Sequence, residues 1–536
     1  MILKIVFFLI AAISPLALPS ALAASDDADR ILSRMSLPEK IGQLMWVGFQ
    51  GPALTAQDRE HLRKVHPGGI VLFTRNLQGS TEVRRLADEI QAALGKKGLP
   101  VFIAIDQEGG IVHRGDWITP PSHPAIGAAD SEPLSLAVGR AVGIALGQSG
   151  FNINLAPVLD MPAPGALSPM LMRSLGTNPA KVRSLGQTYI RGIHESGLMA
   201  CAKHFPGIGK AKDDSHFRLP RVPWKSQAER EDDLLPFRGA IGEGVDMVMP
   251  GHFLAEPGDA DHPVSLSSYW MEEVLRKDMG FSGLTVVDNM EMKALEGLMP
   301  LSDAVVRAFH AGADILMVNH ERKNQEMVFR TLLRAVEKGD ISKERLESSL
   351  QRIVGKKKKI QMPYAIEERG PGLKDLSRQV AENSVARIRR KHAPAFAAKR
   401  EDPGLYAGFN SSFISAFREA FPRGEILNTS LPMFEKSSRV PVSSFLKKFE
   451  FLLVDASYPD ARDLISAAEK MGKRTTAIAF PTQIPAAAAA LRPAQILILF
   501  DGTRPQIDAA LEILGGTREA KGKNPFWARV PDGFTD

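Results

Sequence analysis

Gly280-Phe281-Ser282-Gly283-Leu284-Thr285-Val286-Val287-Asp288 places two glycines before a short apolar, β-branched run and closes it with a lone carboxylate. Without strict alternation of apolar and polar residues, the run reads as a parallel strand covered on both faces. Seven other stretches read the same way: Gly42–Phe49, Gly69–Phe73, Val101–Asp106, Ile153–Asp160, Met199–Phe205, Asp246–Pro250 and Asp314–Val318. Pro157 counts against the full length of the fourth, because proline cannot donate into a ladder. Most are separated by stretches long enough for a crossover helix. One such helix has readable ends, with Ser302 as N-cap, apolar Ala304, Val305, Ala308 and Phe309, and Gly312 as the stop. Eight βα units predict an α/β fold, a (β/α)8 TIM-type barrel, over residues 24–355.

Polar residues gather where these runs end. Asp106, Asp160, Lys203-His204, His252, Asp288 and Asn319-His320 all stand at or just past a C-terminal strand end. A closed barrel brings those ends to one mouth, where active sites are built.

Outward from the barrel the pattern changes. Residues 356–375 combine the basic run Lys356 to Lys359 with Pro363, Gly370, Pro371 and Gly372, which reads as a solvated helix end and a linker. Residues 376–536 read as a smaller C-terminal α/β, αβα sandwich-like domain. It has a helix over Leu376–Arg390, strands at Phe449–Asp455, Thr475–Phe480 and Ile496–Phe500, and an Ala-rich helix at Ile484–Leu491. At the other end, Lys4, the apolar run from Ile5 to Leu18 and Ala21-Leu22-Ala23 read as a signal peptide over residues 1–23. The run is too short to span a bilayer and is interrupted by Pro15 and Pro19.

Length and composition bound the rest. At about 150 residues per domain, 536 residues suggest three to four domains, but one barrel absorbs roughly 250. With 44% apolar and 24% charged residues the chain is an ordinary globular one. The single cysteine, Cys201, excludes a disulfide scaffold and any Cys-based metal cluster. A net charge of 67 − 61 = +6 does not make a nucleic-acid binder. A nearly cysteine-free exported protein fits a bacterial envelope, periplasmic or secreted.

Three stretches carry candidate chemistry. Lys203-His204-Phe205-Pro206-Gly207-Ile208-Gly209-Lys210-Ala211-Lys212-Asp213-Asp214-Ser215-His216 leaves a strand end for a glycine-containing loop that is expected to be exposed and mobile. Asp214 and His216, two apart, can hydrogen-bond so that the carboxylate fixes the imidazole tautomer. The same pair also fits an Asx-type turn with a surface histidine. Asp288 fits a nucleophile toward a sugar carbon, or the cap of the next helix. Asp106-Gln107-Glu108-Gly109-Gly110, with Arg114 beyond, offers a carboxylate and a guanidinium for sugar hydroxyls next to a close-approach backbone. No G-x-G-x-x-G or Walker pattern opens a helix, which disfavours a phosphate loop.

Together these stretches resemble glycoside hydrolase family 3, in its β-N-acetylhexosaminidase branch. The family's K-H-F-P-G-H-G-x-x-x-x-D-S-H-x-x-x-P pattern aligns with Lys203–Pro220 without a gap, except that Ile208 stands for the middle His. Gly68–Phe73 with Arg75-Asn76, Asp106–Gly110 with Arg114, Asn154–Asp160, Arg173–Gly176, Gly280–Gly283 and Asp288 also match. Ala509–Gly515 and Gly522–Pro525 resemble the end of the family's sandwich domain. The resemblance implies that Asp288 is the nucleophile, His216 the general acid/base and Asp214 its orienting partner. It also implies that Asp106, Arg114, Arg173, Lys203 and His204 bind the N-acetylglucosamine. The implied activity is that of a retaining exo-β-N-acetylglucosaminidase on peptidoglycan or chitin fragments, with no metal or organic cofactor, no nucleic-acid partner and no membrane span after signal cleavage. A β-glucosidase-type enzyme of the same fold and a non-catalytic glycan-binding relative are the alternatives. Besides Ile208, the departures are Lys210 where acidic or small residues are common, Asn289 for a second acid, Val287 for a Ser, and Ile111 for an Arg.

Overall fold

A computed structural model describes residues 28–536, apart from 96–98, 165, 167, 361–370, 391–397, 408–410, 428–445, 457–460, 480–492, 494, 501–502, 516, 524–533 and 536. The proposed signal peptide and the Ala-rich stretch Ile484–Leu491 lie outside the described residues.

Eight parallel strands close into a barrel: Met45–Val47, Gly69–Val71, Phe102–Ile105, Ile153–Asn154, Met199–Phe205, Met247–Pro250, Leu284–Val287 and Ile315–Val318. The first pairs with the last in the register Met45↔Leu316, Trp46↔Met317 and Val47↔Val318. Burial on both faces follows, since every residue of the strands from Leu284 and Ile315 is buried. Each large apolar side chain so buried contributes about 1.5–3 kcal/mol.

Most strand boundaries read from sequence shift by one or two residues, and three differences have a local cause. Gly42 belongs to the helix Leu37–Gln43, capped by Ser36 and Glu39, so the first strand begins at Met45. The fourth strand keeps only Ile153–Asn154, because Pro157 has no N–H to donate, and pairing resumes as a single bridge between Val158 and Lys203. The helix assigned to Ser302 starts at Leu301 after Pro300, and Ser302 does not cap it. Gly312 follows its end with φ of +120°.

The basic run is not wholly solvated. The helix Lys343–Lys357 carries Lys356 onto Asp246 at 2.7 Å and buries Lys357, leaving Lys358 and Lys359 exposed. After residue 370 the helix Leu373–Ser384 ends early. The chain then turns into the strand Ala386–Arg390 where a continued helix was expected. That strand runs antiparallel to Gln495–Ile498 in a seven-stranded sheet. The spatial order of the sheet is Glu425–Leu427, Gly404–Ala407, Phe451–Asp455, Arg474–Ala479, Gln495–Ile498, Ala386–Arg390 and Phe534–Thr535.

Alternation along these strands sends side chains to two sides. Phe451, Leu453, Ile478 and Leu497 pack with Phe413, Phe417 and Ile507 from the helices Ser411–Ala420 and Arg504–Leu514. On the other side, Ala477, Ala479, Ile496, Ile498 and Phe500 join the same apolar cluster as the barrel. The helix Leu373–Ser384 adds Leu376 and Val380 to that cluster and lies against the barrel helices His123–Ala129 and Glu132–Gln148. Lys523 pairs with Asp130 at 2.8 Å across the same junction. No helix of the described residues is long and apolar enough to cross a membrane.

Candidate active site

The C-terminal strand ends surround a cavity of about 310 Å³. Its lining includes Asp106, Arg114, Arg173, Lys203, His204, His216 and Asp288, seven of the eight candidates. The eighth, Asp214, lies directly behind His216. Glu108, Asn289, Asn319, His320 and Phe73 complete much of the wall.

The deep side is a network of opposite charges. Lys203, on the fifth strand and 2% exposed, places its Nζ 2.8 Å from Asp106 Oδ1 and 2.6 Å from Glu108 Oε1. Arg173 donates to both oxygens of Glu108, at 2.8 and 2.7 Å. Arg114 stands 3.7 Å from the second oxygen of Asp106. Burial by itself would raise the Glu108 carboxyl, but the Arg173 guanidinium and the Lys203 ammonium outweigh it and hold it well below the usual range. Burial would likewise lower Lys203, yet Asp106 and Glu108 leave it raised. Glycines make this possible: Gly109 has φ of +93°, and a side chain there would meet the Pro121 carbonyl at 2.5 Å.

His204 is set by a carboxylate on the neighbouring strand end. Its Nδ1 donates to Asp160 Oδ2 at 2.7 Å, and the backbone N–H of Ile208 donates to Asp160 Oδ1 at 2.8 Å. An ionised carboxylate only accepts, so the His204 tautomer follows, with Nε2 as the other ring nitrogen. The buried Asp160 thus draws the first half of the Lys203–His216 loop inward, contrary to the exposed loop expected from its glycines. Phe205 through Gly209 and Ala211 are buried. Gly209 lies so close to Met161 that a Cβ would sit 2.3 Å from its backbone. Lys210 is also turned in, 2.6 Å from Asp233.

The exposed part begins at Lys212. There His216 Nδ1 donates to Asp214 Oδ1 at 2.7 Å, and the His216 N–H donates to the same oxygen at 2.9 Å. Both readings of this pair hold at once, since it is an Asx-type turn whose histidine faces the cavity. Nε2 is the ring nitrogen left to exchange a proton. The Asp214 carboxyl lies below its usual value: burial would raise it, and the two His216 bonds outweigh that.

Asp288 closes the seventh strand, half-buried on the cavity wall. Burial opposes its charge, but His204, His252, the Asn289 N–H at 2.7 Å and Lys203 hold its carboxyl below the usual value. It is not a helix cap: the next helix, Lys293–Glu296, begins after Met292. Asn289 spans to the last strand, accepting the Asn319 N–H at 3.1 Å, so the amide that replaces the family's second acid works as a tether. His252 sits behind, bonded to Ser265 at 2.6 Å.

Glu108 is the residue to which sequence reasoning gave no role. An acid just before Gly109-Gly110 was visible, but its two cationic partners lie far away in the chain. Among the described residues no group of three or more His, Cys, Asp or Glu is placed to hold a metal ion.

The family model for the glycosyl hydrolase family 3 N-terminal domain matches residues 36–355. The chain belongs to glycosyl hydrolase family 3. As a family 3 glycoside hydrolase it is 34% identical over 289 residues to a beta-hexosaminidase of Alkalilimnicola ehrlichii, covering 52% of this chain and 81% of that protein. To a beta-hexosaminidase of Pseudomonas aeruginosa it is 31% identical over 318 residues, covering 59% and 91%. The solved structure of a family 3 beta-N-acetylglucosaminidase from Paenibacillus sp. superposes with a TM-score of 0.81 at 28% identity, covering 92% of this chain and 99% of that one. The last similarity extends the family 3 likeness through the second sheet.

Proposed function

We propose that this family 3 hydrolase is a retaining exo-β-N-acetylglucosaminidase acting on peptidoglycan or chitin fragments in the bacterial envelope. The observation that carries the reading is that an ionised aspartate and an aspartate-oriented imidazole share one cavity with Asp106, Glu108, Arg173, Lys203 and His204. The hexosaminidase relatives support the sugar, and the apolar run before Ala21-Leu22-Ala23 supports export.

In this reading the terminal sugar lies against Lys203, Asp106, Arg114, Arg173 and His204. These groups are already ordered by one another and by Glu108 and Asp160, so little is lost in arranging them when the sugar binds. Asp288 keeps Oδ1 on the Asn289 N–H and attacks the anomeric carbon with Oδ2. The carbon–oxygen bond to carboxylate forms as the glycosidic bond breaks, and the proton on His216 Nε2 passes to the departing oxygen. A water then adds to the same carbon, giving its proton to Nε2 and releasing Asp288 with net retention. Asp214 stabilises the imidazolium form through Nδ1–H.

The test is the hydrolysis of β-N-acetylglucosaminides by wild type, Asp288→Ala and His216→Ala, with the product anomer followed by NMR. Wild type should release the β-anomer first, and Asp288→Ala should be inactive. His216→Ala should lose about 10²–10⁴-fold on an alkyl leaving group and much less on an activated one, because only the former requires protonation. Sugar binding without turnover in wild type, or turnover of the glucoside alone, overturns the reading.

A further inference from the structure

We propose that Phe217 and Ile111 form the subsite for the leaving group, and that it takes a neutral pyranose by its apolar face; this rests on the hydrolase reading above.

Among the described residues only three large apolar side chains are exposed: Ile111 at 63%, Phe217 at 72% and Leu298 at 39%. All three stand on segments that follow barrel strands at the mouth, and none lies at the foot or on an outer helix. Single exposed apolar residues are ordinary, but two of these three stand next in the chain to residues that line the cavity. Phe217 adjoins His216, and Ile111 adjoins Val112; His216 and Val112 both line the cavity. Phe217 is fixed in the same turn as the imidazole, its N–H donating to the Asp214 carbonyl at 3.0 Å. Ile111 is held at the tip of a tight hairpin by the Gly109–Val112 bridge.

The leaving group must lie beyond the oxygen that His216 protonates, and the exposed side chain next to that imidazole in the chain is Phe217. An exposed aromatic ring offers a flat apolar face to the C–H face of a pyranose. The surrounding charge fits a neutral partner. From Lys212 to Arg218 two cations balance two aspartates, with Arg218 paired to Asp213 at 3.2 Å. From Ile111 to Trp117, Arg114 faces Asp106 and the exposed Asp116 stands 3.9 Å from His113. Lys210, the remaining cation of the loop, is committed to Asp233. A carboxylate-bearing leaving group would therefore find no net positive rim.

Two substrates isolate this contact. N,N′-Diacetylchitobiose and methyl β-N-acetylglucosaminide both expel an alkoxide that needs the same proton, but only the first presents a pyranose. Phe217→Ala should lower kcat/KM about tenfold on the disaccharide and less than twofold on the methyl glycoside. Ile111→Ala should do the same to a smaller degree, about threefold, and Phe217→Trp should restore the disaccharide rate. Equal losses on both substrates would mean that the turn and its histidine were disturbed, and would overturn the subsite, as would no loss on either. Wild type should also prefer the neutral disaccharide to N-acetylglucosaminyl-β-1,4-N-acetylmuramic acid; the opposite preference overturns the neutral assignment. Wild type that cleaves none of the three substrates overturns the hydrolase reading itself.

Discussion

Two lysines, each 2% exposed, occupy opposite ends of the same barrel and live in opposite electrostatic worlds. Lys203, at the mouth, lies within 2.8 Å of two carboxylates. Lys357, at the foot, meets the amide oxygen of Gln43 at 2.7 Å and the face of Phe102 at 5.1 Å. Burial pushes the Lys357 ammonium down to about 7, whereas Asp106 and Glu108 keep Lys203 raised against the same burial. The difference teaches that the cation at the mouth is maintained by its partners and not by its location. A desolvated lysine without a counter-charge gives up its proton far more readily, as at Lys357.

Removing Lys203 should have the largest effect. Lys203→Met leaves Asp106 and Glu108 short of a cation and, in the proposed binding mode, takes a charged donor from the sugar, so kcat/KM should fall by about 10³-fold. Lys357→Met, assayed in parallel, should stay within about twofold of wild type. Similar losses in both would break the comparison. Next in size is Glu108→Gln. It takes the carboxylate from Arg173, leaves Lys203 with Asp106 alone and should cost about 3 kcal/mol in denaturant unfolding, with a raised KM. Retained stability would mean that the pair does not depend on its anion.

The smallest effect is a pH dependence. Between about 7 and the ordinary lysine value the unfolded chain binds a proton at Lys357 that the folded chain does not, so stability should rise with pH over that interval. The gain should be on the order of 2 kcal/mol once water entry is discounted, and Lys357→Met should abolish it. A pH-independent melting curve for wild type from 7 to 10 would contradict the buried, unpaired ammonium.

The barrel was legible because parallel strands covered on both faces leave uninterrupted apolar runs, and all eight coincide with those runs. Their ends were less so. Gly42 belongs to a helix and Pro157 truncates a strand, since capping and missing donors act at single residues. The candidate residues at strand ends were marked by the family resemblance, and the structure gathers Asp288, His216, Lys203 and Arg173 in one cavity. What sequence could not show was pairing at a distance: Glu108 with Arg173, Asp160 with His204 and the Ile208 N–H, and Lys356 with Asp246. Each joins residues far apart in the chain, where neither partner signals the other. The same limit explains why Arg387 and its neighbours read as helix in the sequence: their strand exists through Gln495–Ile498.

The seven-stranded sheet shares one continuous apolar seam with the barrel, through Phe500, Ile498 and the helix carrying Val380. Cutting the chain in the span between Lys357 and Leu373 would bare that seam on both halves. Each fragment would then carry a greasy scar, and a shortened gene product should need detergent or its missing half to stay dispersed.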